Sequence, residues 1–267
     1  MESLPTHDAL VSVEYRPLDG GLKETLERVP PAFILLLNEL LVCIGEDQQE
    51  SDGLNLMRWA VLYATVLRDL SRSAIVLLND GSHSRAAIML RRVSFEYFTR
   101  FQFMHMHPEH ATTAMGDFRK KSEVFEKRVG SDQVTFTQDP NFDLDRYQAN
   151  SKAFPNFEGI CNEVHGERGQ AYYALFFSYP SALLHGDAMM SMDVLKTDTG
   201  KQRVYLDSAR PYTNEIAGNF IAFTLGLALD AALAFSLESR KLLEEIMEEF
   251  NERRIALSLL DRIEGTT

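Results

Sequence analysis

The sequence predicts an all-α protein, a helical bundle with one minor β-hairpin near residues 194–206. Three observations indicate this class. Apolar residues recur at three- and four-residue intervals over several long stretches, which is the spacing of one buried helix face. Prolines and an Asn79-Asp80-Gly81 turn separate those stretches. The stretch 193–208 has the short strand-like segments and the central glycine that are typical of a hairpin.

The first 53 residues are predicted to form an N-terminal arm and a helical segment. Residues 1–21 lack helical periodicity and read as an extended arm. A helix is expected from Leu22, with a break at Pro30-Pro31, because proline lacks the backbone N–H that a helix interior needs. The main helical bundle is then expected over residues 54–264.

Within this bundle the apolar spacing and the helix breakers predict the individual elements. Residues 130–157 are rich in Asp, Asn, Gln, Pro and Ser, so we expect a long loop insertion there. Such a loop is either a peripheral insertion or a lid or interaction segment. Helices are expected at 54–78, from Ser82 or Ser84 to Met106, at 109–129, from Gln170 with a restart at Pro180, and from Pro211 past Glu252.

The charge of the chain argues against general nucleic-acid binding. The 267 residues carry a net charge of −12, whereas phosphate binding depends on clustered Lys and Arg. A local basic surface is still compatible with the sequence, because several arginines fall in one short stretch. These are Arg85, Arg91, Arg92 and Arg100.

Cysteine content and hydropathy favour a cytoplasmic protein with no membrane association. The two cysteines, Cys43 and Cys161, give no disulfide framework, which fits a reducing compartment. Residues 220–237 approach the length of a membrane span, but Asp230 lies near their middle. A charge there costs about 2.5–3.5 kcal/mol on insertion scales, so we expect a buried core helix instead.

Arg92 and Glu96 are the first pair of candidate site residues. They are four residues apart on the helix predicted over 86–106, so both lie on one helix face. Apolar residues flank them on two sides, and polar groups in such surroundings need partners. Arg92 would offer a planar fork to an anion, with Glu96 beside it. The alternative is a structural ion pair that sets the helix register.

Ser181 and His185 form a second pair with the same spacing, embedded in the aromatic stretch 172–192. A histidine at this position could act as general acid or base, oriented by Ser181 or Asp187. The alternative is a core histidine that bonds a helix carbonyl. We expect Arg92, Glu96, Ser181 and His185 to converge in one semi-buried cluster, because each pair needs partners.

We expect no metal site and no cofactor. Three histidines, His105, His107 and His110, are close in sequence, but His105 and His107 do not share a helix face. The chain has neither an H-E-x-x-H nor an E-x-x-H motif. Residues 165–169 (HGERG) lack the lysine and the preceding strand of a phosphate-binding loop.

The Arg92–Glu96 and Ser181–His185 pairs carry a resemblance to a known family. The run AAIMLRRVSFEYFTRFQFM resembles the Ala–x–x–Leu–x–Arg–x–x–x–Glu helix of an uncharacterised bacterial domain-of-unknown-function family. The run YYALFFSYPSALLHGD resembles the helical Ser–x–x–x–His signature of that family. The resemblance covers residues 55–235 and implies an all-helical bundle with Arg92, Glu96, Ser181 and His185 at its centre.

A more distant resemblance is to the prokaryotic HEPN bundles, many of which are dimeric RNases in toxin–antitoxin or phage-defence systems. Their hallmark is Arg–x(4–6)–His on one late helix. In this chain positions 179–181 are Tyr, Pro and Ser, so Arg92 would have to supply the arginine from another helix. This resemblance implies a homo-oligomer that acts on RNA or a nucleotide.

Two functions therefore stay open. In the first, the chain is an enzyme directed at RNA or a nucleotide, with His185 as acid or base and Arg92 on a phosphate. In the second, it is a non-catalytic binding or assembly protein whose polar cluster is structural. A protein partner would then meet the 130–157 loop or the acidic C-terminal helix. The sequence does not decide whether the protein is an enzyme.

Overall fold

A computed structural model shows that the protein is all-α, which confirms the predicted class. It describes residues 18–46, 49–80, 84–129, 155–184, 195–198, 203–206 and 213–264. The helices are α1 (Gly20–Glu46), α2 (Asp52–Asp80), α3 (Ser84–Met106), α4 (Pro108–Val129), α5 (Phe157–His165), α6 (Gly169–Tyr172), α7 (Tyr179–Leu184), α8 (Thr213–Ala234) and α9 (Arg240–Glu264). A 3₁₀ turn (Gly166–Arg168) joins α5 to α6, and a π-helical turn (Tyr173–Ser178) joins α6 to α7.

Helix α1 corrects the predicted break at Pro30-Pro31, because it continues through both prolines. A proline in a helix interior costs about 3 kcal/mol. Burial of one Leu or Phe side chain contributes about 1.5–3 kcal/mol. The same face of α1 is buried before and after the prolines, so packing outweighs the local cost. The buried apolar side chains are Leu22, Leu26, Val29, Phe33, Leu36, Leu37 and Leu40.

Asp19 caps the start of α1 and joins it to two distant helices. Its Oδ1 accepts hydrogen bonds from the backbone N–H of Gly21 at 2.9 Å and of Leu22 at 3.1 Å. Its own N–H donates to Asn214 at the start of α8, and Nε of Arg253 in α9 donates to its carboxylate at 2.8 Å. The Arg253 hydrogen bond holds the pKa of Asp19 below its ordinary value.

The main core forms where α8 packs against α1, α2, α3 and α9. Small residues on α8 permit the close approach: Ala228, Ala231 and Ala232 are fully buried, and a Cβ on Gly226 would lie 2.8 Å from the Phe98 ring of α3. The helix that was expected over residues 220–237 is therefore a core element of this bundle.

The single long C-terminal helix that the sequence predicts is in fact two helices, α8 and α9. Ser236 has a φ of 54°, and the N–H of Leu237 bonds the carbonyl of Ala232 at 2.9 Å. This hydrogen bond and the positive φ define a Schellman ending, in which glycine is usual. Because serine holds that position, the sequence has no glycine or proline to mark the break.

The segment after the predicted loop becomes helical earlier than expected. Helix α5 begins at Phe157, capped by Asn156, whose side chain accepts from the N–H of Gly159 at 2.8 Å. The helix expected from Gln170 is therefore the continuation of α5 through two irregular turns. Residues 130–154 of the predicted loop insertion lie outside the described residues.

The predicted hairpin is confirmed as two short strands, β1 (Leu195–Asp198) and β2 (Arg203–Leu206). They pair antiparallel, with Leu195 opposite Leu206 and Asp198 opposite Arg203. The predicted turn at Thr199-Gly200 lies outside the described residues.

Two described helices are long and apolar enough to cross a membrane by length and composition: α1 and residues Asn214–Ala234 of α8. In the bundle, 61% of the most apolar window of α8 is buried, against 39% for α1. A larger share of α8 than of α1 is therefore covered within the bundle. The expected cytoplasmic location and absence of membrane association stay predictions.

Gly169 provides a test of the packing between α5 and α6. A Cβ at this position would lie 2.4 Å from Cα of Asn162 and from the carbonyl oxygen of Cys161, both backbone atoms that cannot turn away. We expect Gly169→Ala to lower the free energy of unfolding by about 1–3 kcal/mol, as overpacking does. Urea unfolding followed by circular dichroism measures this change.

Gly45→Ala is the matched control, because a Cβ on this α1 residue meets nothing within 4 Å. Alanine is the better helix former by about 1 kcal/mol, so this variant should be neutral or slightly more stable. Equal unfolding free energies for both variants would contradict the close approach at Gly169.

Candidate functional site

One face of α3 carries the two predicted site residues of this helix, Arg92 and Glu96. Arg92, Glu96 and Thr99 follow at four and three residues, so they share one helix face with Phe95 and Phe103. Helix α5 and the turns that follow it pack on this face. The polar side chains therefore lie where α3 meets the 157–184 segment.

The guanidinium of Arg92 is held by a hydrogen bond at one edge and by an aromatic ring against its planar face. Its Nε donates to Oγ of Ser181 at 2.7 Å, and its guanidinium carbon lies 4.3 Å from the centre of the Phe177 ring. Its Nη2 lies 3.6 Å from Oε2 of Glu96, which is an ion-pair distance. A guanidinium stacked and bonded in this way has a defined orientation.

Glu96 lies between two arginines on the same helix. Its Oε1 accepts from Nε of Arg100 at 3.0 Å, one turn further along α3, while its Oε2 faces Arg92. Arg100 in turn lies over the Phe157 ring at 5.0 Å. Two guanidinium groups and one carboxylate give this part of the site a net charge of +1, in a chain whose total charge is −12.

The π-helical turn places Ser181 opposite Arg92. The N–H of Tyr179 bonds the carbonyl of Ala174, five residues back, which is the wide spacing of a π turn. Pro180 follows directly and has no N–H to continue a regular helix. Oγ of Ser181 donates to the carbonyl of Phe177 at 2.6 Å. Its single hydroxyl hydrogen is therefore used, and it meets Arg92 as an acceptor.

Three of the four predicted site residues are thus brought together. Arg92 and Glu96 of α3 and Ser181 of α7 form one partly buried cluster, with 20% of the Arg92 side chain and 18% of the Glu96 side chain exposed. His185 lies outside the described residues, so its approach to Glu96 stays a prediction.

Aromatic rings surround the cluster and form a second core. Phe95 of α3 lies at its centre, 5.9 Å from the Phe157 ring and 5.2 Å from the Phe176 ring. Cys161 is fully buried here, and burial raises the pKa of its thiol to about 12. A protonated thiol without access to solvent has no role as a nucleophile. The buried members are Phe95, Phe103, Phe157, Ile160, Cys161 and Phe176.

A second polar pair on this face of α3 was not predicted from the sequence. Oγ1 of the fully buried Thr99 lies 3.0 Å from Nε2 of His165, the last residue of α5. The His165 ring stacks on Phe95 at 5.7 Å, and burial lowers the pKa of His165 from its ordinary value. The available signal was the position of Thr99 three residues after Glu96, on the same helix face.

Arg91, which the sequence places in the short basic stretch but not among the candidate site residues, is a further buried cation. Only 7% of its side chain is exposed, and its guanidinium lies 5.3 Å from the Phe176 ring. Burial lowers the pKa of Arg91, and Glu215 of α8, at 3.8 Å, acts in the opposite direction. Consecutive arginines thus stack on consecutive phenylalanines.

Of the three histidines around Pro108, His107 contacts two carboxylates. Nε2 of His107 contacts the Glu163 carboxylate of α5, and its Nδ1 lies 3.9 Å from Glu109. Among the residues that the structure describes, no group of three His, Cys, Asp or Glu side chains is placed to hold a metal ion.

Comparison with known proteins adds no assignment. No family model, curated protein or solved structure matches this chain. The resemblances found in the sequence therefore stay predictions.

Ser181→Ala tests the hydrogen bond that orients Arg92. Without the hydroxyl, Nε of Arg92 loses its acceptor in a partly buried setting, so we expect a loss of about 1–3 kcal/mol in unfolding free energy. Ser178→Ala changes an exposed serine of the same segment and should shift the unfolding free energy by less than about 0.5 kcal/mol. Urea titrations compare the two, and equal losses would argue against the Arg92 contact.

His165 should make stability depend on pH. Because its folded pKa is lowered, the unfolded chain binds more protons below 6.5, and stability falls as the pH drops through this value. We expect the unfolding free energy of the wild type, relative to His165→Gln, to decrease between about pH 7.5 and about pH 5. Chemical unfolding at a series of pH values measures the difference. Parallel profiles for the two proteins would count against a buried, neutral His165.

Proposed function

We propose that this chain is a cytoplasmic enzyme that acts on a phosphate of RNA or a nucleotide at the Arg92 cluster. The observation that supports the proposal is the fixed guanidinium of Arg92. Its Nε is bonded to Ser181 and its face rests on Phe177, so the terminal Nη nitrogens have a set direction. A fixed fork of this kind suits the paired oxygens of a phosphate.

The charge of the cluster supports the same ligand. Arg91, Arg92 and Arg100 outnumber Glu96 and Glu215 in the contacts around the second core, which leaves a local excess of positive charge. The aromatic faces that carry these guanidiniums exclude water, and electrostatic attraction to a phosphate is stronger in such surroundings. The net charge of −12 disfavours phosphate binding over the surface as a whole, whereas this local positive charge favours it at the cluster.

The roles in the proposed reaction follow from these contacts. Arg92 binds a phosphoryl oxygen and stabilises the charge that develops there. Glu96 and Ser181 orient Arg92 and do not touch the substrate. His185, four residues after Ser181, is the proposed acid or base for the attacking or leaving oxygen. The Arg92–Ser181 contact supports the HEPN-like arrangement in which Arg92 supplies the arginine from another helix.

A second candidate function is a binding or assembly protein in which the cluster is structural. The observation in its favour is that the polar groups satisfy each other: Glu96 accepts from Arg100, and Ser181 accepts from Arg92. The exposed acidic face of α9 would then meet a basic protein partner. This face carries Glu245, Glu248, Glu249 and Glu252.

The deciding experiment measures cleavage of RNA and of nucleoside triphosphates by purified variants, alongside their melting temperatures. We expect Arg92→Lys to reduce the rate by about 10²–10³-fold, because a point charge does not reproduce the planar fork. His185→Ala should reduce the rate by about 10²–10⁴-fold at a nearly unchanged melting temperature.

The matched controls change exposed residues of the same types, Arg254→Lys and His105→Ala, and both should keep the full rate. Full activity in a folded His185→Ala protein would contradict the proposed enzyme with His185 as its acid or base. Loss of stability by about 1–3 kcal/mol in Arg92→Lys, with no cleavage by the wild type, would favour the structural cluster and the second function.

A further inference from the structure

The second half of α1 has apolar residues on all its sides, with Asn38 and Glu39 among them, although only one side is covered. Phe33, Leu36 and Leu40 face the core with no exposed surface. The opposite side exposes four large aliphatic side chains that nothing in the described part of the chain covers. They are Ile34 at 40%, Leu35 at 48%, Leu41 at 54% and Val42 at 60%. A helix that is apolar on all sides is usually buried on all sides.

These four residues are arranged symmetrically about Asn38. Ile34 and Leu35 precede it by four and three residues, and Leu41 and Val42 follow it by three and four. Asn38 itself is exposed. A two-fold axis through Asn38 would therefore place the first pair of one chain against the second pair of another, which is the self-complementarity that a symmetric dimer requires.

Asn38 suits the position on such an axis. Its amide has both a donor and an acceptor, so two copies of Asn38 can bond each other. A single asparagine in an apolar helix seam is a known means of setting register. A lipid surface offers no such partner for an amide at the centre of an apolar face.

The charge of the chain also favours this face for self-association. Two copies with a net charge of −12 repel each other over most of their surfaces. The exposed residues of α1 between Pro31 and Gly45 carry no charge. The one carboxylate in this stretch, Glu39, is turned aside, where it accepts from the N–H and Oγ of Ser239.

We infer that α1 pairs antiparallel with α1 of a second copy of this chain, centred on Asn38. An overlap from residue 30 to residue 46 is about 25 Å long at 1.5 Å per residue. Beside it lies an open groove of about 290 Å³ between α1 and α9. Its lining is partly apolar and partly charged: Pro31, Ala32, Leu35, Leu242 and Ile246 with Glu24, Glu27 and Arg28. One helix pair provides only part of the roughly 800 Å² per partner of a standard interface, so the dimer should dissociate on dilution.

The first test is sedimentation velocity of the wild type, Val42→Glu and Val76→Glu over a dilution series. The two substitutions are matched, because Val42 is 60% exposed on α1 and Val76 is 67% exposed on α2. We expect the wild type and Val76→Glu to dimerise alike, whereas Val42→Glu stays monomeric at concentrations at least tenfold higher. Equal melting temperatures would show that both variants fold.

The second test locates the axis by disulfide crosslinking in a Cys43→Ser background. Asn38→Cys should form a crosslinked dimer under mild oxidation, because position 38 meets itself on the axis. Val42→Cys should not, since two copies of position 42 would be about 12 Å apart along the helices, beyond the roughly 7 Å that a disulfide spans. Equal crosslinking of both variants overturns the proposed register.

A monomeric wild type at every concentration, or a dimer that Val42→Glu leaves intact, overturns the proposal. If the wild type stays monomeric but binds vesicles of phosphatidylcholine and phosphatidylglycerol, and Val42→Glu does not, the apolar face of α1 belongs to a membrane surface instead. None of these measurements uses enzymatic activity, so their outcome is independent of the proposed reaction.

Discussion

The structure depends on one constraint: α3 must bury two opposite faces. One face carries Phe101 and Met104 into the main core beside α8, and the other carries Phe95 and Phe103 into the aromatic core beneath α5. Polar side chains lie at both contacts: Gln102 of α3 hydrogen-bonds Asp230 of α8, and Arg92 bonds Ser181 on the other side. The packing of α3 decides which partners Arg92 meets, because it places the helix that carries Ser181 next to this face.

The irregular turns between α5 and α7 fit the chain to that second face. Gly166 takes a φ of 56°, and Gly169 lets two backbone segments approach more closely than any side chain would allow. The π turn before Pro180 then advances Ser181 to the acceptor position beneath Arg92. Each irregularity has a local cause, and together they decide which polar groups meet.

Three arginines enter the aromatic region because a guanidinium can lie flat on a ring. Arg91 lies over Phe176 and Arg92 over Phe177, at 5.3 Å and 4.3 Å from the ring centres. Arginine is weakly hydrated and planar, so stacking replaces part of the water that it loses. The result is local positive charge in a chain whose net charge is −12.

Periodicity and breakers in the sequence by themselves determined the all-α class, helices α2 to α4 and the hairpin, because these signals are local. Apolar surroundings also marked Arg92 and Ser181 as groups that need partners. Only the tertiary structure decided that Arg92 bonds Ser181 across 89 residues and that Thr99 bonds His165. Helix α1 also continues through Pro30-Pro31, and α8 ends two residues before Ser236 without a glycine or proline, because packing between distant segments outweighs the local preferences there.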